Sequence, residues 1–164
     1  MTTQTTATTA AAAVTAADPA LADRKQVIVD FVAALNGGLD ADWSRYLAAN
    51  VVDHNQIIFG EEDAPGAAVE GFRQQLAAFS LSQEGDGFRI EQLLGEGEDI
   101  VARIRVAGVH SGFHPRMPEP TGRHCDVEQI WIFTVRDGRI SEIRAVSDRL
   151  GMFIQLGWDW PTAG

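Results

Sequence analysis

One aspartate and one histidine in the last third of the chain have the chemistry of an acid/base pair. Asp148 follows a mostly apolar strand pattern, and His110 ends an earlier one. Burial beside apolar side chains raises the pKa of a carboxyl group, which makes it a stronger base toward a carbon acid. An imidazole on the apolar face of a strand can donate a hydrogen bond to a carbonyl or enolate oxygen. The two residues therefore predict proton transfer on a small molecule held in an apolar pocket.

Both residues also have a structural interpretation. Asp148 precedes a short helical pattern that contains Leu150, and aspartate is a favoured N-cap. His110 has the parity of Val106, so it points into the apolar layer if the strand is regular, unless Gly108 introduces a bulge. A histidine on an apolar face is more often a satisfied core residue than a ligand contact. The sequence leaves both interpretations open.

Further residues are candidates for the wall of a pocket. They are His54, Asn55, Phe72, Gln129, Trp131 and Arg144. The His54-Asn55 pair is suited to orient a carbonyl or a water, or to cap a loop at the surface. Gln129 and Trp131 share one face of a predicted strand, where a tryptophan more often belongs to the core.

The composition excludes several classes of function. The chain has 164 residues, 45% of them hydrophobic and 22% charged, which fits one globular domain over 18–164 after a disordered Thr/Ala-rich tail over 1–17. A net charge of -10 and scattered basic residues argue against nucleic acid or an anionic membrane as partner. No apolar run is long enough to span a membrane, and no secretory signal is recognisable, so we expect a cytoplasmic protein.

Cofactor and metal motifs are also missing from the sequence. The one cysteine, Cys125, excludes an intramolecular disulfide and a Cys-rich metal site. His110 and His114 are four residues apart, but Pro115 argues against a helix that would aim both at a metal. We therefore expect no metal and no cofactor.

The order of periodic segments predicts an α+β domain. Helical patterns run from Asp18-Pro19 to Gly37-Gly38, from Asp40 to Ala49 and from Pro65 to Phe79, with an irregular stretch over 51–59 between the last two. Alternating patterns then cover about 88–92, 100–106, 124–136 and 139–146, and a short helix contains Leu150. Helices followed by an antiparallel meander predict a curved antiparallel sheet with helices over its concave face, and a pocket between the layers.

Five short motifs, in order, resemble those of the SnoaL-like polyketide cyclases, also called ester cyclases, of the nuclear-transport-factor-2-like superfold. They are Val52-Asp53-His54-Asn55, Gly108-x-His110-x-Gly112, Pro120-Thr121-Gly122-Arg123, Asp137-Gly138-Arg139-Ile140-x-Glu142, and Asp148-x-Leu150-Gly151 before Gln155-Leu156-Gly157. The resemblance covers about 23–157. It implies a cone-shaped α+β barrel and a cofactor-free ring closure of a hydrophobic, oxygenated, polyketide-like substrate.

The resemblance also implies roles for individual residues. The family's aspartate at the position of Asp148 is the general acid/base of an intramolecular aldol closure, with His110, or His54 and Asn55, steadying the enolate oxygen. Arg144 stands where the family pattern has a large aromatic residue, and by alternation it shares a face with Asp148. A guanidinium there would weaken Asp148 as a base, or would bind a substrate carboxylate or phenolate.

Two other functions fit the same scaffold. One is an epoxide hydrolase-like or hydroxylating enzyme in which Asp148 activates water, and the other is a non-catalytic small-molecule-binding or interaction module. We expect a homodimer or homotetramer in either case.

Overall fold

The computed structural model describes residues 18–55, 64–114 and 117–159. In these ranges the chain forms α1 (Pro19–Leu35), a 3-10 helix (Trp43–Tyr46), β1 (Leu47–Asp53), α2 (Ala67–Ala78), β2 (Phe79–Ser80), β3 (Gly87–Glu96), β4 (Asp99–His110), β5 (His124–Arg136), β6 (Arg139–Ser147) and α3 (Arg149–Gln155). The predicted tail over 1–17 lies outside the described residues. No described helix is long and apolar enough to cross a bilayer.

The first helix begins where the sequence predicts. Asp18 is its N-cap and accepts a hydrogen bond from the Ala20 amide at 3.0 Å, and Pro19 occupies the first turn, where no amide hydrogen is needed. One face of α1 is buried against the sheet through Ile28, Phe31, Val32 and Leu35. The helix therefore covers the sheet with the apolar stripe that its periodicity indicated.

Strands β3 to β6 form the predicted antiparallel meander. β4 pairs with β5 along its whole length, and its other edge pairs with β3 and, near His110, with β2. The β5–β6 hairpin turns at Asp137 and Gly138, whose φ angles of 50° and 71° are those of the tight turn typical of Asp-Gly. The curved sheet predicted from alternation is confirmed in these strands.

The segment before the meander differs from the prediction. Only Trp43–Tyr46 is helical, with the Trp43 ring buried, and residues from Leu47 onward form β1 instead of helix. β1 continues through Val51, which the sequence placed in an irregular stretch, and pairs in parallel with β6. The sheet is therefore mixed. The free edge of β6 pairs with a segment whose local pattern did not indicate a strand.

The third predicted helix is also shorter than expected. α2 begins after Gly66, which has a φ of 85°, and ends at Ala78. Phe79, expected at the end of that helix, belongs to β2 and lies opposite His110 of β4. Helix α2 thus leads directly into the sheet edge near the end of β4.

Aromatic rings fill one end of the space between helices and sheet. Phe72 of α2 lies 5.5 Å from the Phe31 ring of α1 and 5.8 Å from the Trp131 ring of β5, measured between ring centroids. Trp131 in turn lies 5.6 Å from Phe133. We call this group, with Trp43, the aromatic cluster. It closes that end of the interior.

Candidate functional site

The other end of the interior contains a cleft. The cleft measures about 500 Å³, including the space open to solvent at its mouth, and lies between the end of α2, helix α3 and the inner face of β3, β4 and β5. Its walls are mainly apolar, with Leu76, Phe79, Phe88, Val106, Val127 and Met152 among them. Its polar lining side chains are Gln75, Gln129 and Cys125. An apolar lining with a few polar groups suits a hydrophobic small molecule that carries a few polar groups.

Gln129 is held in one orientation. The Trp131 indole N–H donates a hydrogen bond to the Gln129 side-chain oxygen at 2.6 Å. The amide nitrogen of Gln129 makes no hydrogen bond within the described part of the chain, so it is left as a donor in the cleft. Gln129 therefore presents an N–H donor to a ligand, while Trp131 belongs to the aromatic cluster.

The thiol in the cleft wall is not activated. Cys125 is buried, and burial raises the pKa of its thiol to about 11. A thiol with such a pKa is almost wholly protonated at neutral pH, and the thiolate is the nucleophilic form. Cys125 thus acts as an apolar wall residue.

A hydrogen bond joins the turn after Leu81 to the start of β5. His124 Nε2, next to Cys125, lies 2.7 Å from Asp86 Oδ1, and the Gln83 amide donates to Asp86 Oδ2 at 2.9 Å. Burial alone would raise the pKa of Asp86, but the Gln83 and His124 hydrogen bonds outweigh it and lower the pKa. The turn that carries Leu81 into the cleft is therefore tied to the start of β5.

His110 is fully buried on the inner face of β4, as its parity predicts. The pairing of β4 with β5 runs without a register shift past Gly108, so no bulge reverses the imidazole. The Thr121 amide donates to Nδ1 at 3.2 Å, which places the proton of a neutral ring on Nε2. Nε2 is buried and has no partner among the described residues. The Phe79 ring, 5.4 Å away between centroids, stands beside it and lines the cleft.

Two of the sequence motifs are joined by backbone hydrogen bonds at His110. The Gly122 amide donates to the His110 carbonyl and the His110 amide donates to the Arg123 carbonyl, both at 2.9 Å. Gly112 packs so closely on the end of α2 that a Cβ there would lie 2.1 Å from the Ala77 carbonyl oxygen. Gly112 thus serves the close packing around His110, whereas Gly122 has open space around it and a φ of 65°, which favours glycine.

Asp148 is exposed and caps α3. Its Oδ1 accepts a hydrogen bond from the Gly151 amide at 2.7 Å, which is the capping role that the sequence left open. The Met152 amide donates to the Asp148 carbonyl at 3.0 Å, and Met152 lines the cleft one helical turn away. Asp148 therefore lies at the N-terminal end of the helix that forms one wall of the cleft.

The structure places His54, Asn55 and Arg144 at the β1–β6 edge, and none of them lines the cleft. His54 Nε2 lies 3.0 Å from Glu142 Oε2, and Arg144 pairs with the same carboxylate at 3.2 Å. The hydrogen bond with His54 is the main cause that lowers the pKa of Glu142. The Asn55 side-chain oxygen accepts a hydrogen bond from the Ala145 amide at 2.9 Å. His54 and Asn55 thus join the end of β1 to β6, whereas Arg144 pairs within β6.

Phe72 lies between the cleft and the core. It is buried in the aromatic cluster and is one turn before Leu76, which lines the cleft. Phe72 and Trp131 therefore lie behind the residues that line the cleft.

Sequence reasoning missed several residues of this region. Gln75, Leu81 and Met152 line the cleft, and only their positions beside predicted inward residues hinted at it. Asp53, outside the cleft at the β1–β6 edge, is an overlooked carboxyl group opposite Ile143: burial raises its pKa, although it accepts a hydrogen bond from the Asn55 amide. Among the described residues no group of three His, Cys, Asp or Glu side chains is placed to hold a metal ion.

Comparison with known proteins identifies the family. The family model of the SnoaL-like polyketide cyclases matches residues 26–156, and the aklanonic acid methyl ester cyclase DnrD of Streptomyces peucetius is 34% identical over 71% of this chain and 75% of its own. The chain belongs to the SnoaL-like polyketide cyclases. The nogalonic acid methyl ester cyclase of Streptomyces nogalater is 29% identical over 79% of this chain and 94% of its own.

Solved structures agree with this assignment of the SnoaL-like fold. TsrD from Streptomyces laurentii superposes with a TM-score of 0.69 at 26% identity, over 83% of this chain and 96% of its own. The polyketide cyclase-like IdmH from Streptomyces antibioticus has a TM-score of 0.64 at 24% identity, over 82% of this chain and 99% of its own. The α+β cone predicted from the resemblance is confirmed, and the enzyme class with it.

Proposed function

We propose that this SnoaL-like cyclase closes a carbon ring in a hydrophobic polyketide ester, without a cofactor, by removing a proton alpha to a carbonyl group. The observation that carries the proposal is the apolar cleft with the fixed N–H donor of Gln129, in a chain related to two methyl ester cyclases. A base takes the alpha proton, and the resulting enolate carbon bonds to a second carbonyl carbon of the same molecule. That carbonyl oxygen then takes up a proton, so the reaction is balanced without an oxidant.

We assign the base to Asp148. Its Oδ2 has no partner among the described residues, and it lies on the helix whose Met152 lines the cleft. In the free enzyme Asp148 is exposed to water. A hydrophobic substrate that covers the mouth of the cleft would exclude this water and strengthen the base.

We assign the contact with the enolate oxygen to Gln129, with His110 as a second donor. Gln129 already presents its amide nitrogen to the cleft, and His110 has an unpartnered Nε2 beside Phe79. Donors aimed at a developing oxyanion in an apolar site stabilise the transition state. His54 and Asn55 bond to Glu142 and Ala145, which supports a role for them in holding the strand edge.

The Asp148→Asn variant tests the base. Asparagine caps a helix as well as aspartate does, so α3 and the unfolding midpoint should be unchanged. Turnover of a polyketide methyl ester, with aklanonic acid methyl ester as the first substrate, should fall by a factor of about 100 or more, as expected for loss of a general base. Full turnover by this variant would refute the assignment.

The same experiment separates the other functions. Incorporation of ¹⁸O from labelled water into the product would indicate that Asp148 activates water, as in a hydrolase or hydroxylase. Binding of the ester to the wild-type protein without any turnover would indicate a binding module. A cyclised product without ¹⁸O is the result that we expect.

We also propose that the enzyme works in the cytoplasm as a homodimer or homotetramer. The single thiol of Cys125 is buried and needs no oxidising compartment. Exposed apolar side chains on the outer sheet face support association.

A further inference from the structure

The proposed ring closure develops negative charge on two oxygen atoms of the substrate. The first is the enolate oxygen, to which Gln129 and His110 are assigned. The second belongs to the carbonyl group that the enolate attacks. When the enolate carbon bonds to the carbonyl carbon, an electron pair moves to this oxygen, and the protonated base returns the proton that neutralises it. A donor aimed at this oxygen would stabilise the transition state of bond formation, so the mechanism calls for a second donor in the cleft.

The cleft has a second carboxamide on the wall opposite Gln129. Gln75 lines the cleft from helix α2, whereas Gln129 lines it from strand β5. Among the described residues, the other polar side chain in the lining is Cys125, whose thiol is a weak hydrogen-bond donor. Gln75 is therefore the strongest side-chain donor in the lining besides Gln129.

The contact between α2 and β5 places the two carboxamides at a similar depth. The Phe72 ring lies 5.8 Å from the Trp131 ring, measured between centroids, so α2 meets β5 at this point. Gln75 is three residues further along α2, a rise of about 4.5 Å, and Gln129 is two residues away along β5, about 6.6 Å. Both steps lead into the cleft, because both glutamines line it. A substrate between the two walls can contact each glutamine with a different oxygen.

Gln75 is free to make such a contact. It is exposed while it lines the cleft, and its side chain makes no hydrogen bond within the described part of the chain. The adjacent Gln74 differs, since its amide nitrogen lies 3.4 Å from Glu70 Oε1 and its side chain is not part of the lining. The Gln75 amide can therefore turn toward a bound substrate without breaking a hydrogen bond of the protein.

We propose, on the basis of the function proposed above, that Gln75 is a further catalytic residue: its side-chain amide donates a hydrogen bond to the oxygen of the carbonyl group that the enolate attacks. Gln129 and Gln75 then hold the two reacting parts of the substrate from opposite walls of the cleft. Neither glutamine transfers a proton, because the base does so. Loss of Gln75 should slow formation of the carbon–carbon bond and leave removal of the alpha proton unchanged.

Two assays on the full chain separate these steps. Ring closure is measured as kcat for the polyketide methyl ester used with Asp148→Asn. Removal of the alpha proton is measured as deuterium uptake from D₂O by an analogue of this ester in which a CH₂ group replaces the attacked carbonyl, so that no ring can close. Gln75→Leu should lower kcat at least tenfold, with deuterium uptake within about twofold of wild type. Gln129→Leu, which removes the donor to the enolate oxygen, should lower both.

Gln74→Leu is the matched control, because it makes the same change at the next residue of α2, outside the cleft. Glutamine and leucine have similar helix propensities, so both leucine variants in α2 should keep the wild-type circular dichroism. Gln74→Leu should keep the wild-type kcat. Gln75→Glu is a second variant of the same size, whose ionised carboxylate has no hydrogen to donate, and it should lose at least as much kcat as Gln75→Leu.

The outcomes distinguish this role of Gln75 from the proposed function. A wild-type kcat for Gln75→Leu or Gln75→Glu, or an equal loss of ring closure and deuterium uptake in Gln75→Leu, would overturn the role of Gln75 alone. A wild-type enzyme that does not close the ring would refute the proposed function itself, and the role of Gln75 with it.

Discussion

The two ends of the interior are built from the same strands but are covered differently. At the closed end, Trp131 and Phe133 of β5 meet the rings of α1 and α2, and the rings of the aromatic cluster are buried against one another. At the open end, Val127 and Cys125 of the same strand face a cleft that α2 and α3 only partly roof. Alternation along a strand thus decides which side chains point inward, and the covering helices decide whether the space is filled.

The largest expected effect comes from removing a ring at each end. Phe133→Ala leaves a cavity in the fully buried cluster and should lower the free energy of unfolding by about 3–5 kcal/mol. Phe88→Ala is the matched change in the cleft wall, where the neighbours already face open space. It should cost about half as much, since little new cavity is created. Urea denaturation measures both, and equal losses would contradict the distinction between the two ends.

Adding a ring should also destabilise the closed end more than the open end. Val127→Phe has room in the cleft, so its stability should stay within about 1 kcal/mol of wild type, while affinity for the proposed polyketide ester substrate falls at least tenfold. Ala102→Phe, opposite Trp131 at the closed end, overpacks the core and should destabilise by about 1–3 kcal/mol or more. Calorimetric titration and urea denaturation provide the two readouts. An unchanged affinity for Val127→Phe would mean that the ester binds elsewhere.

The smallest effect is chemical and concerns the open end alone. With a thiol pKa of about 11, Cys125 should react with iodoacetamide very slowly at pH 8, because roughly one thiol in a thousand is ionised. The rate should rise about tenfold per pH unit until the pH approaches that pKa. A bound ester should slow it further. Rapid labelling at pH 7, followed by mass spectrometry, would show that the cleft wall is more polar than its residues indicate.

Local sequence patterns predicted the elements whose structure depends on residues that are close together in the sequence. The capped start of α1 and the Asp137-Gly138 hairpin lie where the sequence placed them. The parallel pairing of β1 was not predictable in this way, because it depends on a free edge of β6 that is about 90 residues away. Its first residues carry a helix-like pattern, and tertiary pairing overrides it.

In the candidate site, too, local patterns predicted some placements and missed others. Parity placed His110 in the apolar layer and put Gln129 on the same strand face as Trp131, and the structure has all three on the inner side of the sheet. Parity also put Arg144 and Asp148 on one face, but β6 ends at Ser147, and Asp148 turns into the cap of α3. Phe79 stands beside His110 and lines the cleft only because α2 ends one residue earlier than its pattern suggested. Such placements depend on where elements end, which sequence patterns define least well.

The hydrogen bond between Trp131 and Gln129 links the two ends, and it has an entropic consequence. The indole is immobilised in the aromatic cluster when the chain folds, so the orientation of the Gln129 amide is settled before any substrate arrives. A free glutamine side chain would lose rotational freedom on binding, at a cost of about 0.5–1.5 kcal/mol. Here that loss occurs during folding, so the packed aromatic cluster preorganises the Gln129 donor in the cleft.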